Sequence, residues 1–284
     1  MTDSDVEEET SLSDEAWEDI YELFEPYINL AAYPIVEAAT QDYIGSKYFG
    51  HPWMGSDEEW PEKDGIPLDF ILQLDIATLP EEIARLLGGK GLLQFFYGED
   101  SRIEFTDDIS DRSFLRIVYP EEKEGGPVAP PAAGDPYLIA ERKCHYSSSK
   151  ECLAITGWED FQDVPHYLDF ADDEEGALYP GAIEEEVARI ARKHRIDESQ
   201  VEEAIECVQG DKLGGYPHWT QGIEIPLCSL GEYMVSIYQI DAGDFFEGPC
   251  VPAHAPELFA SRGTGHIFVS RHNHQELKFV WACV

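Results

Sequence analysis

An α+β fold dominated by antiparallel β-sheet is predicted by three features of the sequence. Short apolar runs, many alternating or β-branched, recur from residue 33 onward between glycines, prolines and acids, the pattern of strands joined by turns. Two regions instead repeat apolar residues at helical spacing, one near the N-terminus and one over 182–208. A turn followed by a strand is written twice, 165 residues apart. The sheet is therefore predicted to be built from two duplicated turn-plus-strand subdomains, with an N-terminal helix and a helical hairpin packed outside it.

Residues 1–12, MTDSDVEEETSL, are acidic and have no apolar anchor. They are predicted to be a disordered, dispensable tail, and they do not read as a secretory signal. Ser13 caps a predicted helix whose first turn holds Asp14 and Glu15, favourable at the positive end of the helix dipole. Trp17, Ile20, Tyr21 and Phe24 follow at i, i+3, i+4 and i+7 and predict one stripe facing a core. Burial there would make Trp17→Ala cost roughly 3–5 kcal/mol. Pro26 ends the helix.

Strands are predicted at PIVEAAT, DFILQLDI, LLQFFYG, FLRIVYP, YLIAERK, YMVSIYQID, HIFVS and LKFVWAC. A short helix over 80–87 is stopped by Gly88-Gly89, and 122–136 reads as a Pro/Gly loop. In the hairpin, Ile183, Val187, Ile190 and Ala191 form one apolar stripe. Asp197 and Gln200 read as a capping box, and Val201, Ala204, Ile205 and Val208 form the next stripe. Residues 13–284 are expected to form one domain, with the duplicated units over about 43–120 and 208–284.

The duplication rests on spacing. SKYFGHPW begins at Ser46 and DKLGGYPHW at Asp211, so Lys47, Gly50 and Pro52 match Lys212, Gly215 and Pro217 at identical offsets. Ile-Pro-Leu recurs at 66–68 and 225–227, followed by strands ending Gln73-Leu74-Asp75 and Gln239-Ile240-Asp241. Lysine to glutamine is 26 residues in one copy and 27 in the other. The glycines fit no phosphate-loop or dinucleotide pattern, so a turn is the better account: glycine accepts positive φ, and proline keeps the residue before it extended.

The charge balance narrows function. The chain carries 58 acids against 19 bases, a formal net charge of −39. Such a surface repels nucleic acid and anionic membranes and favours a basic partner. Residues 211–284 are nearly neutral, with 8 acids and 4 bases, and they hold 5 of the 9 histidines. The six cysteines form no C-x-x-C pair, which predicts reduced thiols and a cytoplasmic protein. No run approaches membrane-spanning length.

The two turns, with Trp60-Pro61, LLQFFYG and the C-terminal FVWAC, resemble the YwqG-like family of bacterial proteins, from about Tyr43 to Cys283. Gly-His-Pro stands at 50–52 where that family has Gly-Gly-Pro, and SRGTGHIFVS lacks the acid of its usual late G-D-x-G. The resemblance implies the fold, no established reaction, and a loose association with bacterial toxin–immunity neighbourhoods.

Candidate binding residues cluster at the turns: Lys47, His51 and Trp53 in one, Lys212, Tyr216 and Trp219 in the other. The duplicated lysine, glutamine and aspartate suggest a polar network that pins each turn to its strand, with lysine beside carboxylate. The rival reading sends the lysines into a cleft to meet an anion. His272 and His274 would share one face of an extended strand and form a weak candidate metal pair, although Asn273 between them suits a turn. Cys144, His145 and Cys152 resemble half a metal site; a half-buried strand cysteine is the plainer reading. Cys228 and Cys283 lack any activating context and read as core cysteines, and Asp169–Glu175 as a solvated acidic loop. No cofactor motif is recognised. The expected function is a non-enzymatic binding or interaction protein, in its specific version an immunity-type inhibitor of a basic toxin. The alternative is a small-molecule or metal-dependent enzyme built on the Lys/His/aromatic cluster.

Overall fold

The computed structural model describes residues 12–98, 112–131, 150–165, 183–205, 207–243, 251–255, 258–259 and 263–283. Among them run fourteen strands: β1 (Asn29–Ala38), β2 (Lys47–Tyr48), β3 (Trp53–Gly55), β4 (Glu62–Lys63), β5 (Ile66–Pro67), β6 (Asp69–Asp75), β7 (Leu92–Tyr97), β8 (Ser113–Val118), β9 (Gly125–Pro127), β10 (Leu153–Asp163), β11 (Lys212–Gly214), β12 (Val235–Asp241), β13 (Gly263–Val269) and β14 (Leu277–Cys283). Ten form one antiparallel sheet in the order β14-β13-β12-β11-β1-β10-β2-β6-β7-β8. β3 pairs with β9 and β4 with β5. The fold is α+β and mostly antiparallel, as the alternating apolar runs predict.

The strand order reads the same from both ends. β1 and β10 pair along their length at the centre. Outward from β10 come β2, β6, β7 and β8; outward from β1 come β11, β12, β13 and β14. The short strands β2 and β11 each place a lysine opposite a glutamine, Lys47 to Gln73 and Lys212 to Gln239. The main core lies between the inner faces of the two halves. Tyr48, Leu74 and Phe95 from one side share it with Tyr238, Ile240 and Phe279 from the other. Phe95 and Phe279 meet at a ring separation of 4.5 Å, and Tyr119 beyond β8 reaches the His274 imidazole in the turn before β14 at 3.2 Å, so the outer strands approach and the sheet nearly closes.

Among the described residues the α-helices are α1 (Asp14–Phe24), α2 (Glu81–Leu86), α3 (Glu184–His194) and α4 (Glu198–Glu203). Ser13 accepts the Ala16 N–H at 3.2 Å and caps α1, and Asp197 with Gln200 forms the predicted capping box of α4. Gly88 and Gly89, both at positive φ, end α2. A second core outside the sheet gathers Ile20 and Phe24 from α1 with Val187, Ile190 and Val201 from the hairpin, and Leu12 packs against it. Leu12 therefore does not belong with the predicted solvated tail.

The buried stripe of α1 is Ala16, Ile20 and Phe24, while Trp17 and Tyr21 are 48% and 50% exposed. The helix meets its neighbours along a narrow line of i, i+4 and i+8 positions, and the two aromatics fall just off it. β10, at the sheet centre, was not predicted: its run LAITGWEDFQD mixes apolar residues with acids and leaves Thr156, Glu159, Asp160 and Gln162 exposed. Gly125–Pro127, predicted as loop, forms a short strand against β3. The predicted strand YLIAERK, Cys144, His145 and the acidic loop 169–175 lie outside the described residues.

Two matched turns as the candidate site

Strand pairing brings the same set of polar groups together twice. In each half the glutamine opposite the lysine ties down both ends of the turn. Gln73 Oε1 accepts the N–H of Trp53 at 3.2 Å, and Gln239 Oε1 accepts that of His218 at 2.8 Å; both donors stand six residues after the lysine. Gln73 Nε2 donates to the carbonyl of Gly45 at 3.1 Å, and Gln239 Nε2 to that of Gly210 at 2.8 Å; both acceptors stand two residues before it. The next strand completes the clamp. Gln94 on β7 donates to the Trp53 carbonyl at 2.7 Å, and His266 on β13 donates through Nε2 to the His218 carbonyl at 3.1 Å.

The residue before each lysine bridges to the end of the strand. Ser46 Oγ accepts the Asp75 N–H at 2.8 Å, and Asp211 Oδ1 accepts the Asp241 N–H at 2.8 Å. The carboxylates of Asp75 and Asp241 then accept backbone N–H groups two residues onward, at Ala77 and Gly243. They serve the backbone and not the lysines, which corrects the expected lysine–aspartate pairing. Gly50 and Gly215 take positive φ, and a Cβ at either would collide, with the Cys152 sulfur at 2.9 Å or the Asp163 carboxylate at 2.3 Å.

The lysines differ in an instructive way. Lys47 donates directly to the carbonyls of Tyr43 and His51, four residues before and after it. Lys212 donates to Asp163 Oδ2 at 2.7 Å. Asp163 in turn accepts the N–H groups of Val208 and Tyr216, both at 2.9 Å and again four residues before and after the lysine. A carboxylate from β10 is thus inserted between lysine and turn in the second half. Both lysines are fully buried, and burial pulls Lys47 down to about 8 from the ordinary lysine value. These contacts follow the structural reading of the lysines.

The other predicted residues divide between core and surface. Trp53 is buried with Leu92 and Val118, and Trp219 packs, partly exposed, against Cys228, Met234 and Phe268. His51 Nδ1 meets Asp42 at 2.7 Å at the surface. Tyr216 donates its hydroxyl to the Tyr27 carbonyl. His272 precedes, and His274 lies within, a turn closed by Glu276 N–H to Asn273 carbonyl, so the two do not share a face of an extended strand. His272 pairs with Glu232 at 2.7 Å and His274 with the Tyr119 hydroxyl, so the two point to different partners. Cys228 is buried in the core and Cys283 ends β14 half-buried. Among the described residues no helix is long and apolar enough to cross a membrane.

Sequence reasoning missed one cluster that joins the halves. The Tyr48 hydroxyl donates to Asp211 Oδ2 at 2.7 Å and shares a hydrogen bond with the Tyr238 hydroxyl. Asp211 Oδ2 also accepts from His254 Nδ1 at 3.0 Å, and the His254 ring stacks on Tyr48 at 5.0 Å. Burial holds both tyrosines well above the usual phenol range. Asp211 stood inside the repeated motif, but His254 and the tyrosines meet it only through sheet topology.

Among known families, the model described as a domain of unknown function, DUF1963, matches residues 46–280, from the first matched turn to the last strand. No curated protein matches the chain.

Proposed function

The chain belongs to the DUF1963 family, and we propose, on its surface chemistry, that it is a non-enzymatic binding protein whose partner is a basic protein. One observation carries this reading, the outer face of α1. Trp17 and Tyr21, an i, i+4 pair, stand exposed among Asp14, Glu15, Glu18, Glu22 and Glu25, all exposed as well. Exposed aromatics ringed by carboxylates suit lysine and arginine side chains, through cation–π contact and charge pairing, and Trp and Tyr are the residue types that dominate binding energy at interfaces. The net charge of −39 would steer a cationic partner toward this face. α1 lies before the segment that matches the family model, residues 46–280.

The specific version is an immunity-type inhibitor of a basic toxin, acting in the cytoplasm without nucleic acid or membrane. It extends the YwqG-like relationship, which the two quoted turns and the C-terminal FVWAC support. Co-expression with the products of adjacent genes tests it. One toxic neighbour should be neutralised, its binding should weaken with salt, and Trp17→Ala with Tyr21→Ala should abolish rescue. If no neighbour is toxic, or none is neutralised, the immunity version fails; binding indifferent to salt would remove the basic partner altogether.

A second reading, an enzyme, is favoured by the Asp211–His254 pair, since a buried carboxylate that fixes one imidazole nitrogen is how a catalytic base is oriented. A turnover found by substrate screening and lost in His254→Ala would establish it; turnover unchanged in that variant would discard it.

A further inference from the structure

The two matched turns part company at one position. Two residues after Lys47 stands Phe49; two residues after Lys212 stands Gly214. Both take the left-handed region, with φ of 56° and 70°. The Phe49 side chain is buried in the main core. Gly214 has none to bury, and a cleft of about 680 Å³ opens beside it. A Cβ at Gly214 would lie 3.3 Å from the Leu30 carbonyl and 3.8 Å from Ile83 Cδ1, both of them in cleft-lining residues. The cleft thus lies where a side chain at the position matching Phe49 would project.

Its walls have a definite chemistry. Leu30, Ile83, Leu86 and Val235 supply apolar surface between β1, α2 and β12. Arg271 also lines it, exposed and with no ion pair among the described residues, in a chain where acids outnumber bases threefold. Glu81, Glu82 and Asp160 stand nearby and disfavour a diffuse anion, so an anionic ligand has to combine an apolar body with a carboxylate placed on the guanidinium fork. A volume of this size suits a small molecule. We propose that the cleft binds a small aromatic carboxylate, its ring taking the place that Phe49 fills at the matched turn and its carboxylate on Arg271. This site is independent of the α1 face.

The probe is 3-phenylpropionate, titrated into the full chain with methyl-labelled Ile, Leu and Val followed by NMR. Saturable shifts are expected at Ile83, Leu86 and Val235. Gly214→Phe, which installs the side chain that position 49 already carries in the same left-handed region, should abolish them. Arg271→Ala, an exposed change that leaves the fold alone, should weaken binding at least about tenfold, and so should replacing the probe by 3-phenylpropanol. The absence of saturable shifts at these methyls overturns the proposal, as do shifts that persist in folded Gly214→Phe or an affinity equal for acid and alcohol.

Discussion

Lys212 Nζ lies 2.7 Å from Asp163 Oδ2, with both side chains shut off from solvent. Asp163 serves three donors at once, the lysine and two backbone N–H groups, so it is the more costly partner to remove. Breaking a buried pair from one side leaves a charge without compensation, about 3–5 kcal/mol. Asp163→Ala is expected to lose that much in urea denaturation and to lose more than Lys212→Met. Equal losses, or a loss under about 1 kcal/mol for Asp163→Ala, would mean that the pair is not closed to water.

Lys47 has carbonyl partners and, among the described residues, no contacting carboxylate, and burial holds it at about 8. A lysine whose pKa falls on folding binds fewer protons folded than unfolded between about 8 and 10.5. Its contribution to stability therefore rises with pH across that window and is least favourable below it. NMR titration of the Lys47 Cε and Nζ resonances should show a midpoint near 8. A midpoint at the ordinary lysine value would place the nitrogen in water.

His266 occupies the place that Gln94 holds in the other half, and burial pushes it to about 3. It folds neutral, while the unfolded chain takes up a proton near 6.5. Stability is thus fully present above about 6.5 and is lost as pH falls toward 3, by at most about 1.4 kcal/mol per unit from this one group. His266→Gln should keep the bond to the His218 carbonyl and flatten that part of the stability curve. A variant as acid-sensitive as the parent would show that the histidine is not buried neutral.

The exposed aromatics of α1 make a contrast with its core. Phe24→Ala should cost about 3–5 kcal/mol, whereas Trp17→Ala should cost under about 1 kcal/mol, because little of its surface leaves water on folding. Chemical denaturation of both variants decides it. A large loss at Trp17 would restore the buried stripe that the sequence suggests.

The turns were legible because their partners are fixed by count along the chain: 26 and 27 residues place a glutamine opposite each lysine. The helix caps were legible because they are local. Asp163 was not, since it lies 49 residues from Lys212 on a strand whose acids hide its periodicity, and only β1–β10 pairing delivers it. His254 escaped for the same reason, as its partner Asp211 is 43 residues away. The α1 stripe was right at Ile20 and Phe24 and wrong at Trp17 and Tyr21, because large aromatics outweigh Ala16 in any pattern count, while packing is decided by the neighbouring helices.

The central claim is that two matched polar clamps, and not two binding sites, account for the repeated motif. Native-state hydrogen exchange at the Trp53 and His218 amides tests it most directly, since each N–H is held by one glutamine, Gln73 or Gln239. Both amides should exchange only through large-scale unfolding, with Gln73→Ala releasing Trp53 alone and Gln239→Ala releasing His218 alone. Amides that exchange as fast as open loops in the native chain, or that stay protected when their own glutamine is removed, would contradict the account.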